Sequence, residues 1–463
     1  MIYIALILAT LLGLSVINLI SKDFSVLEKL GFSFLIGIGI ETVFMFILNV
    51  LGIRFSSTSL LLISLICTIA LNYQLILSYE TTLKKIWNLN FNFPKISIQQ
   101  LNLIWILFFI LVAFITYGSF AKSLFWPTVA YDNVTGYDLM GKVMGSEGKI
   151  HNSLFEINNS PIEGSAKRII YPPLVSGSFA FAYLFGMQTS KIMTSLLFIF
   201  FIIAFYSLLR RYTNKTNSII FTFLMLITPE MFAFSSLSTT NIPFAIYASL
   251  GLIYVYFWID KKELKDLLMA SILIAFSGWT RSEGIIFILI GSLAVLYTTM
   301  MDKKWKYFFI YNLIAFSTFL SWNIYVKLNF NVDQNVFITY PFWDYEKLSA
   351  IIGWVQNLIT NTNLYGISFY VFFILILING KNLYERDKSL SFVVLTMIAF
   401  ILYTLLYYQM DNSKMSTLDV MMKTSYRRGL FIFIPLIWFF ASTNKIISSL
   451  FEKYANFEEN PTR

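Results

Sequence analysis

The chain has little of what soluble proteins use most. Charged residues make up 13% of its 463 residues, against about 25% in a soluble domain, and that scarcity excludes two or three soluble domains despite the length. It carries one cysteine, Cys67, set inside an apolar run. No disulfide framework or thiolate metal site can therefore form, and Cys67 reads as a small buried hydrophobe. The one histidine, His151, stands without the second histidine that a zinc site needs. Neither a Gly-x-Ser-x-Gly elbow nor a P-loop occurs, so serine-hydrolase and nucleotide-hydrolase chemistry have no support. The opening MIYIALILATLLGLSVINLI lacks the basic start of a cleaved signal peptide, and its apolar run is too long for one. It is expected to stay as a first membrane span.

Apolar sequence is what the chain has in quantity: 57% of it is hydrophobic and 18% aromatic. These residues fall in blocks of roughly 17–22, the length that takes a helix across about 30 Å of hydrocarbon. The expected fold is all-α and polytopic, with about 13 transmembrane helices. They are placed at 1–20, 30–51, 58–78, 101–121, 191–209, 218–235, 241–258, 266–281, 284–300, 307–328, 364–380, 389–409 and 429–447. Basic residues cluster between spans, at Lys84/Lys85/Lys95, Arg210/Arg211/Lys215, Lys261/Lys262/Lys265, Lys303/Lys304/Lys306 and Lys381/Arg386/Lys388. The net charge of +9 is thus distributed by the positive-inside rule, and nucleic acid is not an expected partner. With those clusters cytoplasmic, the loop 122–173 and the connections 236–240, 281–283, 329–350 and 410–428 face outside. Leu174–Gln188 is too short to cross, and is expected to dip in from the outer face as a re-entrant or interfacial helix. The aromatic stretch 329–350 is expected to lie in the interface, with Trp343 and Tyr345 at headgroup depth. The bias towards Phe, Ile, Asn, Lys and Tyr suits a low-GC bacterium.

The longest polar interval, Trp126–Pro173, is where chemistry at the water interface is expected. Asp132 and Asp138 open it, six residues apart, which puts them on different faces of a helix. A carboxylate here could act as general base for an acceptor hydroxyl or amine, or help to hold a divalent cation; it could equally be solvated, with Asp132 capping the next helix. Lys142 follows Asp138 by four residues, giving an i,i+4 pair on a helix, and could also reach a phosphate. Arg281 and Glu283 interrupt two apolar runs with almost no linker. Charges at that depth are costly and mark function or a paired structural turn. Arg427 and Arg428 abut the last span on the outer side, where bidentate donors suit a phosphate headgroup.

Four segments together resemble the GT-C superfamily of integral-membrane glycosyltransferases, in particular the branch of lipid A aminoarabinose transferases and protein O-mannosyltransferases. The outer loop opens on Tyr131–Asp132 and continues through YDLMGK to GKI. It ends in Tyr171–Pro172–Pro173–Leu174, with Leu–Phe–Gly at 184–186. The turn WTRSEG (279–284) is similar to the family's Thr–Lys/Arg–x–Glu–Gly turn, and SYRRGLFIFIPL (425–436) to a segment before its last helix. The resemblance covers roughly 101–447 and implies a catalytic module there, after an N-terminal transmembrane block (1–100) and before a cytoplasmic tail (448–463). It implies an inverting transfer of sugar from a polyprenyl-phosphate donor to a lipid, glycan or protein acceptor, at the outer face of the cell membrane and among membrane lipids. Asp132 would be the base. Arg281, Arg427 or Arg428, and Lys142 would hold the donor phosphate, with Asp138 a second catalytic acid and Tyr171 and Glu283 also binding substrate. Where many relatives carry Asp, this chain has Asn241, which weakens the case for a second acidic ligand and hence a metal. The alternative function is a transporter, or a flippase or polymerase of lipid-linked glycans. Transporters commonly pair broken helices in two repeated halves, and no such repeat occurs.

With Cys67 replaced by serine, Pro173→Cys and Gln188→Cys should react with an impermeant thiol reagent from the same side of the membrane. Opposite sides would overturn the topology.

Overall fold

The structure, a computed structural model, describes residues 1–73, 102–128, 133–156, 171–329, 343–380, 389–410, 417–444 and 446–447. Among these residues there are helices and no β-strand, as the all-α expectation requires. The first three helices are α1 (Ile2–Ile20), α2 (Val26–Val50) and α3 (Ser57–Leu71). They are followed by α4 (Leu103–Phe125), α5 (Asp138–Glu147), α6 (Leu174–Leu184), α7 (Lys191–Leu209), α8 (Lys215–Leu226) and α9 (Pro229–Phe234). The middle of the chain forms α10 (Asn241–Lys261), α11 (Leu264–Thr280), α12 (Gly284–Asp302), α13 (Lys306–Ala315) and α14 (Ser317–Asn329). The last four are α15 (Tyr345–Ile359), α16 (Ser368–Ile378), α17 (Ser389–Gln409) and α18 (Phe433–Thr443).

Seven of these helices are long and apolar enough to cross a membrane, eight if α13 and α14, bent by 45°, form one span. The remaining expected spans are filled by shorter or interrupted helices. Pro229, at the first position of α9, divides the stretch expected at 218–235, because proline has no N–H to continue the helix of the preceding turn. The centre of the bundle is α10, buried along almost its whole length. The expected interfacial stretch is described only from residue 343. There Trp343 and Tyr345 are exposed and α15 begins, capped by the Asp344 carboxylate.

The N-terminal helices are built into the body. A Cβ on Gly37 would come 1.8 Å from the Ala9 carbonyl oxygen, and one on Gly13 would come 1.9 Å from that of Ser33. Glycine is therefore what lets α1 and α2 touch backbone to backbone. On its other side α2 meets α10 and α11: Tyr247 Oη donates to the Leu35 carbonyl at 2.7 Å, and Trp279 Nε1 to Thr42 Oγ1 at 3.0 Å.

At the end of the bundle that carries the basic clusters, Arg211 turns inwards. Its Nε lies 2.6 Å from Glu28 and its Nη1 2.8 Å from Asp266, and the guanidinium sits 4.5 Å from the Phe257 ring centroid. Glu28 itself closes the capping box of α2 with Ser25. One guanidinium thus joins α2, α7 and α11, and both carboxylates are buried. Arg211→Met should lower unfolding stability in detergent by about 3–5 kcal/mol, the cost of leaving a buried ion without its partner. Adding Glu28→Gln and Asp266→Asn should recover part of that loss in Tm; a triple variant no better than the single one would contradict this account.

Candidate active site

The opposite end of the bundle gathers the polar residues. Asn133–Tyr137 forms one wide turn that breaks at Gly136 and runs into α5. Tyr131 and Asp132, just before it, lie outside the described residues. Asp138 is half-buried, and one of its oxygens accepts hydrogen bonds from Tyr183 Oη at 2.6 Å and from the Ser190 hydroxyl. Ser190 is in turn 3.0 Å from Ser238 Oγ. The carboxylate therefore ties α5 to the end of α6, the start of α7 and the turn before α10. Lys142 is exposed on α5, and no ion pair joins it to Asp138 among the described residues. At the far end of α5, Gly148 adopts a left-handed conformation, and a Cβ there would come 2.5 Å from the Phe55 carbonyl.

Helix α6 lies along α5, with Gly141 and Gly145 against Phe179 and Tyr183. Tyr171, just before α6, lies over Arg281; Tyr183 and Ser190, at and beyond its far end, reach Asp138.

Arg281 is at the focus of this end. It caps α11 in extended conformation and is 5% exposed, low enough that its charge must be met by protein groups. Its Nε donates to Glu283 at 3.3 Å, its Nη2 to the other oxygen of Glu283, and its Nη1 to Asn241 Oδ1 at 2.9 Å. The guanidinium lies near two rings, 5.9 Å from the Tyr171 centroid and 5.5 Å from that of Phe244. Tyr137 meets Tyr171 edge-on at 5.5 Å, and burial, followed by the neighbouring Tyr171, holds its phenol well above the usual range. It stays protonated and able to donate.

Tyr403 and Tyr407 on α17 stand between Arg281 and the turn 425–429, close enough for their phenols to feel the Arg281 charge. Tyr426 stacks on Tyr403 at 5.8 Å and meets Tyr407 at 5.1 Å. The adjoining Arg427 puts its Nε 2.8 Å from a carboxylate oxygen of Glu230. Arg428 donates to the Thr424 carbonyl at 2.9 Å and lies over the Phe234 ring. The structure thus brings together Tyr171, Arg281 and Glu283, joins Asp138 to them, among the described residues, only through its neighbour Tyr137, and sets Arg427 and Arg428 beyond Tyr403, Tyr407 and Tyr426.

Sequence reasoning passed over Tyr137, Tyr183, Ser190, Glu230, Tyr403, Tyr407 and Tyr426, and weighed Asn241 only as a missing acid. Two signals were available: the Tyr403/Tyr407 spacing of four, which is one helical face, and an acidic Glu230 directly after Thr228–Pro229. Among the described residues no three His, Cys, Asp or Glu side chains are grouped to hold a metal ion; Asp132 is not one of those residues.

Residues 178–322, about a third of the chain, match the model of the dolichyl-phosphate-mannose-protein mannosyltransferase family. The matched stretch runs from α6 to α14 and contains Asn241, Arg281 and Glu283. No curated protein and no solved structure matches significantly. The match supports a mannosyltransferase-like glycosyltransferase of the GT-C type, carried by a multi-pass membrane protein.

Asp138→Ala should cost about 1–3 kcal/mol of stability, because it strands two hydroxyl donors. Asp138→Asn keeps an acceptor oxygen and should lose less than half of that. Thermal unfolding of the two variants in one detergent checks the difference, and equal losses would contradict the holding role.

Proposed function

We propose that the protein transfers a sugar from a polyprenyl-phosphate donor to a lipid, glycan or protein acceptor, at the end of the bundle that carries Arg281 and on the extracytoplasmic face. The family match across the Asn241 and Arg281–Glu283 elements carries this reading. In the reaction the acceptor oxygen or nitrogen attacks the anomeric carbon from the side opposite the phosphate. The bond from that carbon to the phosphate oxygen breaks, its electron pair leaves with the lipid phosphate, and the configuration inverts. Asp132 takes the proton of the acceptor as the new bond forms. Arg427 and Arg428 hold the phosphate charge. Asp138 is a positioning residue, whose bonds to Tyr183 and Ser190 fix the start of α5 and with it the short segment leading back to Asp132. Arg281, held by three hydrogen bonds to Glu283 and Asn241, keeps Tyr171 and the helix ends in register and lends positive charge to the site.

Membranes carrying the wild type should move radiolabelled sugar from polyprenyl-phosphate donors to endogenous acceptor. Asp132→Asn should lower that rate by on the order of 10²–10⁴-fold at equal expression, the usual weight of a general base, while Asp138→Asn should stay within about tenfold of wild type on the same scale. Full activity of Asp132→Asn would move the base elsewhere. No transfer from any donor by the wild type would favour a transporter.

A further inference from the structure

The three inward-facing arginines differ in how fully they are matched. Arg211 is held by two carboxylates, and Arg281 by both oxygens of Glu283 and the amide of Asn241. Arg427 meets Glu230 through Nε alone, and that N–H, although 2.8 Å from the oxygen, is not aligned to hydrogen-bond it. Its side chain is 34% exposed, and its Nη groups bond no protein group among the described residues. Glu230 is 8% exposed, and its second oxygen is buried with no hydrogen-bond partner. Such a pair is poorly compensated: a buried carboxylate lacks donors, while an arginine fork able to bind a tetrahedral oxyanion in bidentate fashion is turned to it edge-on.

We infer that Glu230 occupies an exchangeable anion subsite, in which its carboxylate stands in for a lipid-linked phosphate that displaces it from Arg427 when donor binds. The inference rests on the proposed function for the identity of the lipid and deepens it, by assigning Glu230 as a competitor for donor. When the phosphate takes the Arg427 fork, Glu230 is left buried and takes up a proton. The groups facing Glu230 are Arg427 and Arg428 from the turn before α18, and Tyr365 from the Thr362–Tyr365 turn. The two arginines stay charged and Tyr365 stays neutral between pH 5 and 8, far below their ordinary titration ranges. The sign is then fixed: phosphate binding tightens as pH falls through the Glu230 pKa.

The test is equilibrium binding of a polyprenyl methyl phosphodiester, which keeps one negative charge across the pH range and carries no sugar to transfer. It is measured on the full chain in detergent between pH 5 and 8. Wild type should bind more tightly at the acid end. Glu230→Gln should bind about fivefold more tightly than wild type at pH 8, the order expected for removing one competing ion pair, and should lose the pH dependence. Arg427→Gln should weaken binding in both backgrounds. Inorganic phosphate and phosphatidylglycerol, added as competitors, distinguish a free-phosphate or phospholipid site from one for the polyprenyl carrier. Unchanged affinity and pH dependence in Glu230→Gln, with wild type binding normally, would overturn the inference and leave the proposed function standing. No binding by wild type would sink both. If Glu230→Gln is not monodisperse, the wild-type pH profile decides, and affinity flat or weakening towards pH 5 rejects the exchange.

Discussion

A buried guanidinium in a membrane protein must be matched by its neighbours, and that demand organises the site end of this molecule. Removing an ion from water costs several kcal/mol even after relaxation, so its partners must arrive with good geometry. For Arg281 they come from different elements: Glu283 from the turn into α12, Asn241 from the first turn of α10, and the rings of Tyr171 and Phe244 beside it. Satisfying one charge therefore fixes the start of α10, the α11–α12 turn and the end of the polar loop relative to one another. Arg211 does the same at the opposite end for α2, α7 and α11. Two buried cations, each matched, pin the bundle at both ends, and Arg427, matched along one edge only, stands apart from them.

How much of this could be read from the sequence follows from what averages and what does not. Long helices such as α4, α7 and α10 are legible because hydropathy sums over their whole length, and α6 is legible as a shorter apolar helix. Interruptions are not: the break between α8 and α9 and the bend between α13 and α14 leave the average hydropathy unchanged while cutting the helix. In the site, Arg281 and Glu283 stand out because a charge between apolar runs is expensive wherever it lies. Tyr183, Ser190 and Asn241 do not, since hydroxyls and amides are common in apolar helices and cost little when paired. Their importance lies in what they meet across 40–52 residues of chain, and spacing alone does not encode that. Asp132, on which the catalytic expectation rests, lies outside the described residues.

The N-terminal helices show how a segment without evident chemistry still bears on the site. Because Gly13 and Gly37 let α1 lie directly on α2, α2 is presented to α10 and α11 with its outer turn close to the polar loop. Asn49 there accepts hydrogen bonds from the backbone N–H groups of Ile150 and His151, and donates to Tyr325 on α14. Phe55, just past the end of α2, donates its N–H to the Gly148 carbonyl at 2.9 Å. The far end of α5 is therefore anchored to the N-terminal helices, while its near end is anchored through Asp138 to α6 and α7. A short helix held at both ends by hydrogen bonds has little freedom to shift along or away from the bundle. The chain leading from α5 back to Asp132 therefore starts from a rigid point. The first three helices, which carry none of the expected site residues, act as scaffold: they hold the far end of α5, at residues 148–151.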